Sequence, residues 1–272
     1  MKIDVPAWDR KLKYVCYTGE TQGNDKETVA PSNVSYYMNK KDMALLDWDR
    51  TLYDGFVLLS WVRFLSVHGK FSRAYYEELK RVFSHYSRRD IKYDDLSRNA
   101  PLIYARGLKG QRVTDICGLA LEYVREDSQL YPHSIPIFDM LHQKNITIAV
   151  LSGAPQEVLD AFSERLDIEI VIGITVRMLS SGEFFSGVLG RNSALVEVKR
   201  RQVERLRRKF NILLAIGDSS ADIPLLMAAK VPIVLNDNRE HKSFSLPPGT
   251  ISVPHNRLLT ELERALKNFK GG

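Results

Sequence analysis

Asp47 and Asp49 stand one residue apart at the end of a short apolar run, in the stretch LLDWDRTLYDG at positions 45–55. Like charges that close repel, so the pair is either a solvated turn or a site that holds a counter-cation. A second acidic cluster, GDSSAD, places Asp218 and Asp222 after another apolar run, ILLAIG. Carboxylate and main-chain oxygens are what a hard cation such as Mg²⁺ prefers. Asp47, Asp49 and Asp218 could supply part of an octahedral shell. Asp222 follows four residues later, on one side of a helix's first turn if the helix has begun; ordinary helix capping is the competing reading of both later acids. Between the acidic clusters lies LSG, where Ser152 and Gly153 offer a hydroxyl and an approachable N–H at the start of a helix. That pair suits a phosphate oxygen or serves as a simple cap.

One cation completes the set. The segment 195–210 has helical spacing, with an apolar stripe through Leu195 or Val196, Val203, Leu206 and Phe210. Lys199 falls on that stripe, whereas Arg200, Arg201, Arg205, Arg208 and Lys209 fall mostly to its sides or back. An inward lysine needs an acidic partner, and the aspartates are the obvious one; the alternative is a side chain that snorkels past the sheet edge.

These residues need elements that bring them together. The first clear strand is 43–46, running into Asp47. Residues 1–42 read as a polar N-terminal extension, with a short strand at 14–17 and loop at 18–33. Four segments with helical apolar spacing follow within 56–132 and contain no strand pattern. After them strands and helices alternate: helix 135–145, strand 146–151, helix 155–166 with Pro155 in its first turn, strand 168–173, a hairpin at 176–189, the basic helix, strand 212–217, helix 221–230, strand 231–235 and a last helix over about 258–269. Alternation of this kind means a doubly wound, mostly parallel α/β sheet, here with an inserted all-helical cap. The expected division is a core of 43–55 and 133–272 and a cap of 56–132. In such sheets functional groups collect at the carboxyl ends of strands, where Asp47, Ser152 and Asp218 all fall.

Composition excludes several classes. Hydrophobic residues make up 44% of the 272, enough for a large core. No apolar run approaches the roughly 20 residues that span a bilayer. Cys16 and Cys117 give neither a metal spacing nor a disulfide framework, which fits a reducing cytoplasm. The first residues, MKIDVPAWDRK, have no apolar signal core, so no secretory leader is expected. The net charge of +6 permits nucleic acid as a partner without indicating it, and the basic run 199–209 reads first as a solvated helix face. The oligomeric state is not legible.

Taken in order, DWDRT, LSG, Lys199 and GDSSAD resemble the motifs of the haloacid dehalogenase superfamily of phosphohydrolases, over about residues 43–236. The helical insertion after the first motif and the hairpin before the lysine helix look like the phosphoserine-phosphatase-like branch. The resemblance implies that Asp47 is a nucleophile forming an aspartyl-phosphate, that Asp49 is the general acid and base, and that Asp47, the Asp49 carbonyl and Asp218 hold Mg²⁺. It implies that Lys199, Ser152 and Gly153 bind the phosphoryl oxygens, that Thr51 braces the loop, and that Asp222 supports Lys199 or the metal from behind. Asp49 also argues against haloacid dehalogenation, whose enzymes in this superfamily lack that acid.

The implied activity is Mg²⁺-dependent hydrolysis of a small phosphorylated substrate. Transfer to another acceptor through the same intermediate, and a non-catalytic binding or regulatory module, are the alternatives. In the phosphoserine phosphatases an acidic residue nine positions after the nucleophile can meet the substrate's amine; here that position is Phe56. The last motif, commonly GDGxND in those enzymes, here reads GDSSAD. Arg98, Arg106 and Lys109 are the candidate anion contacts on the cap, against the plainer reading of basic residues on cap helices as a solvated face. Trp48 and Trp61 read as packing, and Asp54 with Gly55 as a turn.

Overall fold

In the computed structural model, residues 40–237 and 245–267 are described. The strand expected at 14–17 and the loop at 18–33 lie outside them. The run before Asp47 forms β1, Asp42–Leu46, and Met43, Ala44, Leu45 and Leu46 are fully buried. Burial on both strand faces is the mark of a parallel strand covered by helices on each side.

Five more strands join it: β2 (Thr147–Pro155), β3 (Ile170–Ile174), β6 (Asn211–Gly217), β7 (Val231–Leu235) and β8 (Ile251–Val253). All neighbours pair in parallel, in the order β3-β2-β1-β6-β7-β8. The chain winds outward from β1 through β2 to β3, then returns to the other side of β1 with β6. The order therefore reverses between β1 and β6, and a crevice opens at such a point beyond the carboxyl ends of the strands. The short pair β4 (Val176–Met178) and β5 (Phe185–Leu189) is the expected antiparallel hairpin, turned at Gly182 with φ of +74°.

Between β1 and β2 the chain is helical: α1 (Val57–Val67), α2 (Arg73–Ser87), α3 (Tyr93–Gly107), α4 (Val113–Glu126) and α5 (Ser134–Gln143). In α1 the buried residues Val57, Leu58, Trp61, Val62 and Leu65 form one stripe at helical spacing. The remaining helices are α6 (Gln156–Leu166), α7 (Val196–Lys209), α8 (Ile223–Ala228) and α9 (His255–Leu266). No described helix is long and apolar enough to cross a membrane.

Pro101 lies inside α3, where proline lacks the N–H that would reach the carbonyl four residues back. That carbonyl, of Ser97, accepts instead from Asn192 Nδ2 at 2.9 Å. Asn192 belongs to the loop before α7, so a defect in the insertion becomes a tie to the rest of the fold.

Several boundaries differ from the sequence expectation. Pro155 is not in the first turn of α6 but ends β2, with ψ of 137° and a ladder partner in Ile174. Ser152 and Gly153 thus lie within the strand rather than at a helix start. The helix expected from 221 begins as a single 3₁₀ turn, Ser220–Asp222, before α8. The last helix starts three residues earlier than expected, and β8, too short for a periodic signal, adds a sixth strand.

Candidate active site

Asp47 continues the β1 ladder by one bond, its N–H donating to the Ile216 carbonyl at 2.9 Å. The residue is 5% exposed, and its carboxylate meets Lys199 Nζ at 2.8 Å. Lys199, 2% exposed on α7, also meets Asp222 Oδ1 at 2.6 Å. The inward direction read from the stripe is the one it takes. Burial alone would pull the ammonium's pKa down, but the charges of Asp222 and Asp47 override this and hold it above the ordinary lysine value.

Asp222 is fully buried, and both of its oxygens are committed to donors. Oδ1 takes the lysine; Oδ2 takes the N–H groups of Asp218 and Ser219 at 3.1 and 3.0 Å and the Ser219 hydroxyl at 2.9 Å. It shapes the loop that presents Asp218. Gly217 is required beside it, because a Cβ there would stand 2.4 Å from that of Asp222.

Asp49 is half-buried, and its Oδ1 accepts the Val57 N–H at 2.9 Å, at the start of α1. Burial pushes its carboxyl up to about 7, against the pull of that N–H bond. Asp47 is pushed up to about 6, by burial first and then by the charge of Asp222, with Lys199 opposing. Burial also raises Asp218 well above the ordinary carboxylate value, and Arg50 opposes it. Thr51 Oγ1 donates to Asp47 Oδ2 at 3.3 Å. The Ser152 hydroxyl is fully buried and accepts the Ala154 N–H at 3.1 Å; Gly153 leaves room for Ala194, whose Cβ would lie 3.1 Å from a Cβ at that position.

The cleft above Asp47 is lined by Asp47, Asp49, Arg50, Phe56, Tyr93, Ser152, Gly153, Asp218 and Ser219. It therefore gathers the ends of β1, β2 and β6 with one residue from the head of α1 and one from α3. Arg98 and Arg106 do not line it. Both are exposed, and Arg106 turns to the Leu102 carbonyl and towards Glu78. Trp48 is packing, its ring tilted against that of Phe162 with centroids 4.8 Å apart, and Asp54 accepts from the Tyr131 hydroxyl at 3.1 Å.

Arg50, Tyr93 and Ser219 were not singled out by motif reasoning. Arg50 stands inside DWDRT, between the two acids and Thr51, but a motif treats that position as any residue. Tyr93 opens a helix distant in sequence, and no periodicity marks it.

Carboxylate oxygens of Asp47, Asp218 and Asp222 lie within 4.8 Å of one another, all buried. A set made of oxygen donors alone fits a hard divalent cation. Because Asp222 is committed to donors, Asp47 and Asp218 are the carboxylates that remain at the cleft. The arrangement can bind a cation, hold an oxyanion and set two carboxyls in unequal surroundings side by side.

Residues 44–227 match the protein family described as haloacid dehalogenase-like hydrolase, well over half of the chain. No curated protein matches in sequence. Among solved structures, a protein of unknown function from Bordetella pertussis Tohama I is similar with a TM-score of 0.62 and 16% identity, covering 79% of this chain and 98% of that one. A phospho-aspartyl intermediate analogue of phosphoserine phosphatase gives 0.58 and 17%, covering 83% and 98%. A phosphoserine phosphohydrolase-like protein from Francisella tularensis subsp. tularensis SCHU S4 gives 0.57 and 18%, covering 81% and 99%. At these identities the likeness is one of fold.

Proposed function

The chain belongs to the haloacid dehalogenase-like hydrolase family, and on that premise we propose that it hydrolyses phosphomonoesters through an aspartyl-phosphate on Asp47. The observation that carries this reading is the pairing of Asp47 with Lys199 at 2.8 Å beside Asp49, at the mouth of the β1–β6 crevice. A carboxylate held this way is oriented and kept ionised by its ammonium partner, as a nucleophile must be.

In the first step an Asp47 oxygen attacks phosphorus and the ester P–O bond breaks. Asp49 gives its proton to the departing oxygen, so the leaving group departs as an alcohol. A pKa near 7 leaves Asp49 protonated often enough at neutral pH to act so. In the second step Asp49, now ionised, takes a proton from water as that water attacks phosphorus. The bond between phosphorus and Asp47 breaks, inorganic phosphate leaves, and both acids return to their starting forms. Lys199, Ser152 and the Gly153 N–H neutralise and orient the phosphoryl oxygens, which is most of what phosphoryl transfer asks of a protein. Mg²⁺ held by Asp47, Asp218 and the Asp49 main-chain carbonyl would supply further positive charge to those oxygens. Thr51 steadies Asp47, and Asp222 positions Lys199 and the Asp218 loop.

The division of labour follows: residues 43–55 and 133–272 form the catalytic core, and 56–132 a cap. The N–H bond from Val57 to Asp49 joins the general acid to the cap's first helix, so cap closure and the placing of that acid are one event. Phosphate release from a generic aryl phosphate, with Mg²⁺ and then with chelator, tests the proposal. Activity that needs the metal is expected; no release under either condition overturns it.

A further inference from the structure

Resting on the phosphatase reading, we infer that Arg50 selects substrates whose leaving group carries an anion, a carboxylate or a second phosphate, close to the ester oxygen. The cleft divides by chemistry. On the phosphatase reading Asp47, Ser152, Gly153 and Asp218 are taken by the phosphoryl group and its cation. Of the residues lining the cleft, Asp49, Arg50, Phe56 and Tyr93 remain for the departing alcohol. Apart from the proton-donating Asp49, that side holds a guanidinium, a phenyl ring and a phenol. Among the described residues lining the cleft, Arg50 is the one cation. No carboxylate from the insertion reaches the cleft: Asp94 and Asp95 are exposed, and Asp95 caps its own helix through the Lys92 N–H at 3.1 Å. An ammonium group on the leaving alcohol would therefore meet the Arg50 guanidinium and find no carboxylate other than those already given to catalysis and the cation.

The backbone is built to deliver this side chain. Arg50 has φ of +59°, a region sparsely populated by residues other than glycine. It is held there from both sides: its N–H donates to the Tyr53 carbonyl at 2.8 Å, and its carbonyl lies 3.0 Å from His255 Nε2. His255 is in turn fixed by Asp237 at 2.5 Å. A strained residue braced by a distant histidine places its guanidinium over the Phe56 ring, 5.1 Å from the centroid, with Nη1 donating to the Tyr86 hydroxyl at 3.2 Å. Phe56 and Tyr86 thus hold the group by its flat face and one edge.

Its ionic partner in this structure is Asp218, 3.0 Å from Nε. Asp218 also belongs to the acidic trio suited to a cation, so guanidinium and metal are alternative partners for one carboxylate. With that carboxylate satisfied by metal, an anion on the substrate takes its place at Arg50. The forked guanidinium pairs with carboxylate or phosphate through two hydrogen bonds, which a lysine cannot do.

The test compares four esters on the full chain with Mg²⁺: phosphoglycolate, a propanediol bisphosphate, glycerol phosphate and phosphoethanolamine. At least one anionic ester is expected to exceed glycerol phosphate in kcat/KM by about 10- to 100-fold, chiefly through KM, with phosphoethanolamine poorest. Phosphoglycolate and the bisphosphate separate the two sources of anion. Arg50→Ala should bring the ratio of anionic to neutral ester near unity, and Arg50→Lys should restore it in part. A wild-type ratio near unity, or one that survives in Arg50→Ala, overturns the inference while leaving the phosphatase reading intact. Hydrolysis of no ester, generic aryl phosphate included, overturns the phosphatase reading and this inference with it. Calorimetric titration of phosphoglycolate and glycerol phosphate into Asp47→Asn gives an arm that needs no turnover, and equal affinities there also overturn it.

Discussion

Lys199 Nζ lies between two buried carboxylates, 2.8 Å from Asp47 and 2.6 Å from Asp222. One ammonium thereby joins the end of β1 to the loop after β6. Its removal leaves two acids facing each other in a dry site. Lys199→Met is expected to lower stability by about 3–5 kcal/mol, the cost of breaking a buried ion pair on one side. It should also lower kcat by more than about 100-fold, as loss of a charge-stabilising donor does. Urea unfolding and steady-state kinetics check the two effects; a variant of unchanged stability contradicts the bridge.

Asp222 acts on chemistry through other groups. Asp222→Asn keeps its shape but removes the charge that holds Lys199, and one of its termini then presents N–H groups where acceptors are needed. The Asp218 loop should loosen, with apparent Mg²⁺ affinity falling about 10- to 100-fold, as is typical when a metal ligand loses its support. Metal titration of activity separates this from a general loss: kcat at saturating Mg²⁺ should fall less than the affinity does. Equal Mg²⁺ dependence in variant and wild type would falsify the positioning role.

Asn192 covers the carbonyl that Pro101 leaves without a partner in α3. Asn192→Ala strands that buried acceptor and is expected to cost about 1–3 kcal/mol. Pairing it with Pro101→Ala, which restores an N–H to the helix, should return part of the loss. A double-mutant cycle with no coupling between the two positions would contradict the account.

Glu157, 1% exposed at the head of α6, accepts from Trp61 Nε1 at 3.2 Å and from the Tyr104 hydroxyl, both carried by the insertion. Burial pushes its carboxyl from 4.5 up to about 8. Between those values the folded chain holds a proton that the unfolded chain has released. The stabilising contribution is complete below the unfolded value and is lost as pH rises through about 8. Wild-type melting temperature should therefore decline from about pH 5 to about pH 9, and Glu157→Gln should flatten part of that decline. Parallel curves for the two proteins would contradict a neutral Glu157 in the folded state.

Much of this site was legible because its residues obey two strong local rules. The acids follow apolar runs that can only be buried strands, and strand ends in a doubly wound sheet share one edge. Lys199 was legible because a single polar residue on an apolar helical stripe has one direction open to it. Arg50 was not, because its position depends on a left-handed backbone braced by His255, some two hundred residues away. Tyr93 and Glu157 depend on how the insertion packs over the sheet, which periodicity within each helix does not encode. Arg98 and Arg106 erred the other way: basic residues on an inserted helix are as easily turned to solvent as to a ligand. Pro155 was placed in a helix by a rule about first turns, but the ladder with β3 keeps it extended.

The central claim is a covalent phosphoryl group on Asp47. The direct measurement is acid quenching of the enzyme during turnover of an aryl phosphate with Mg²⁺, followed by peptide mass analysis. One phosphoryl group is expected on the peptide containing Asp47, absent in Asp47→Asn, whose phosphate release should be at background. Phosphate release by Asp47→Asn at the wild-type rate, with no modified peptide in either protein, would contradict the account.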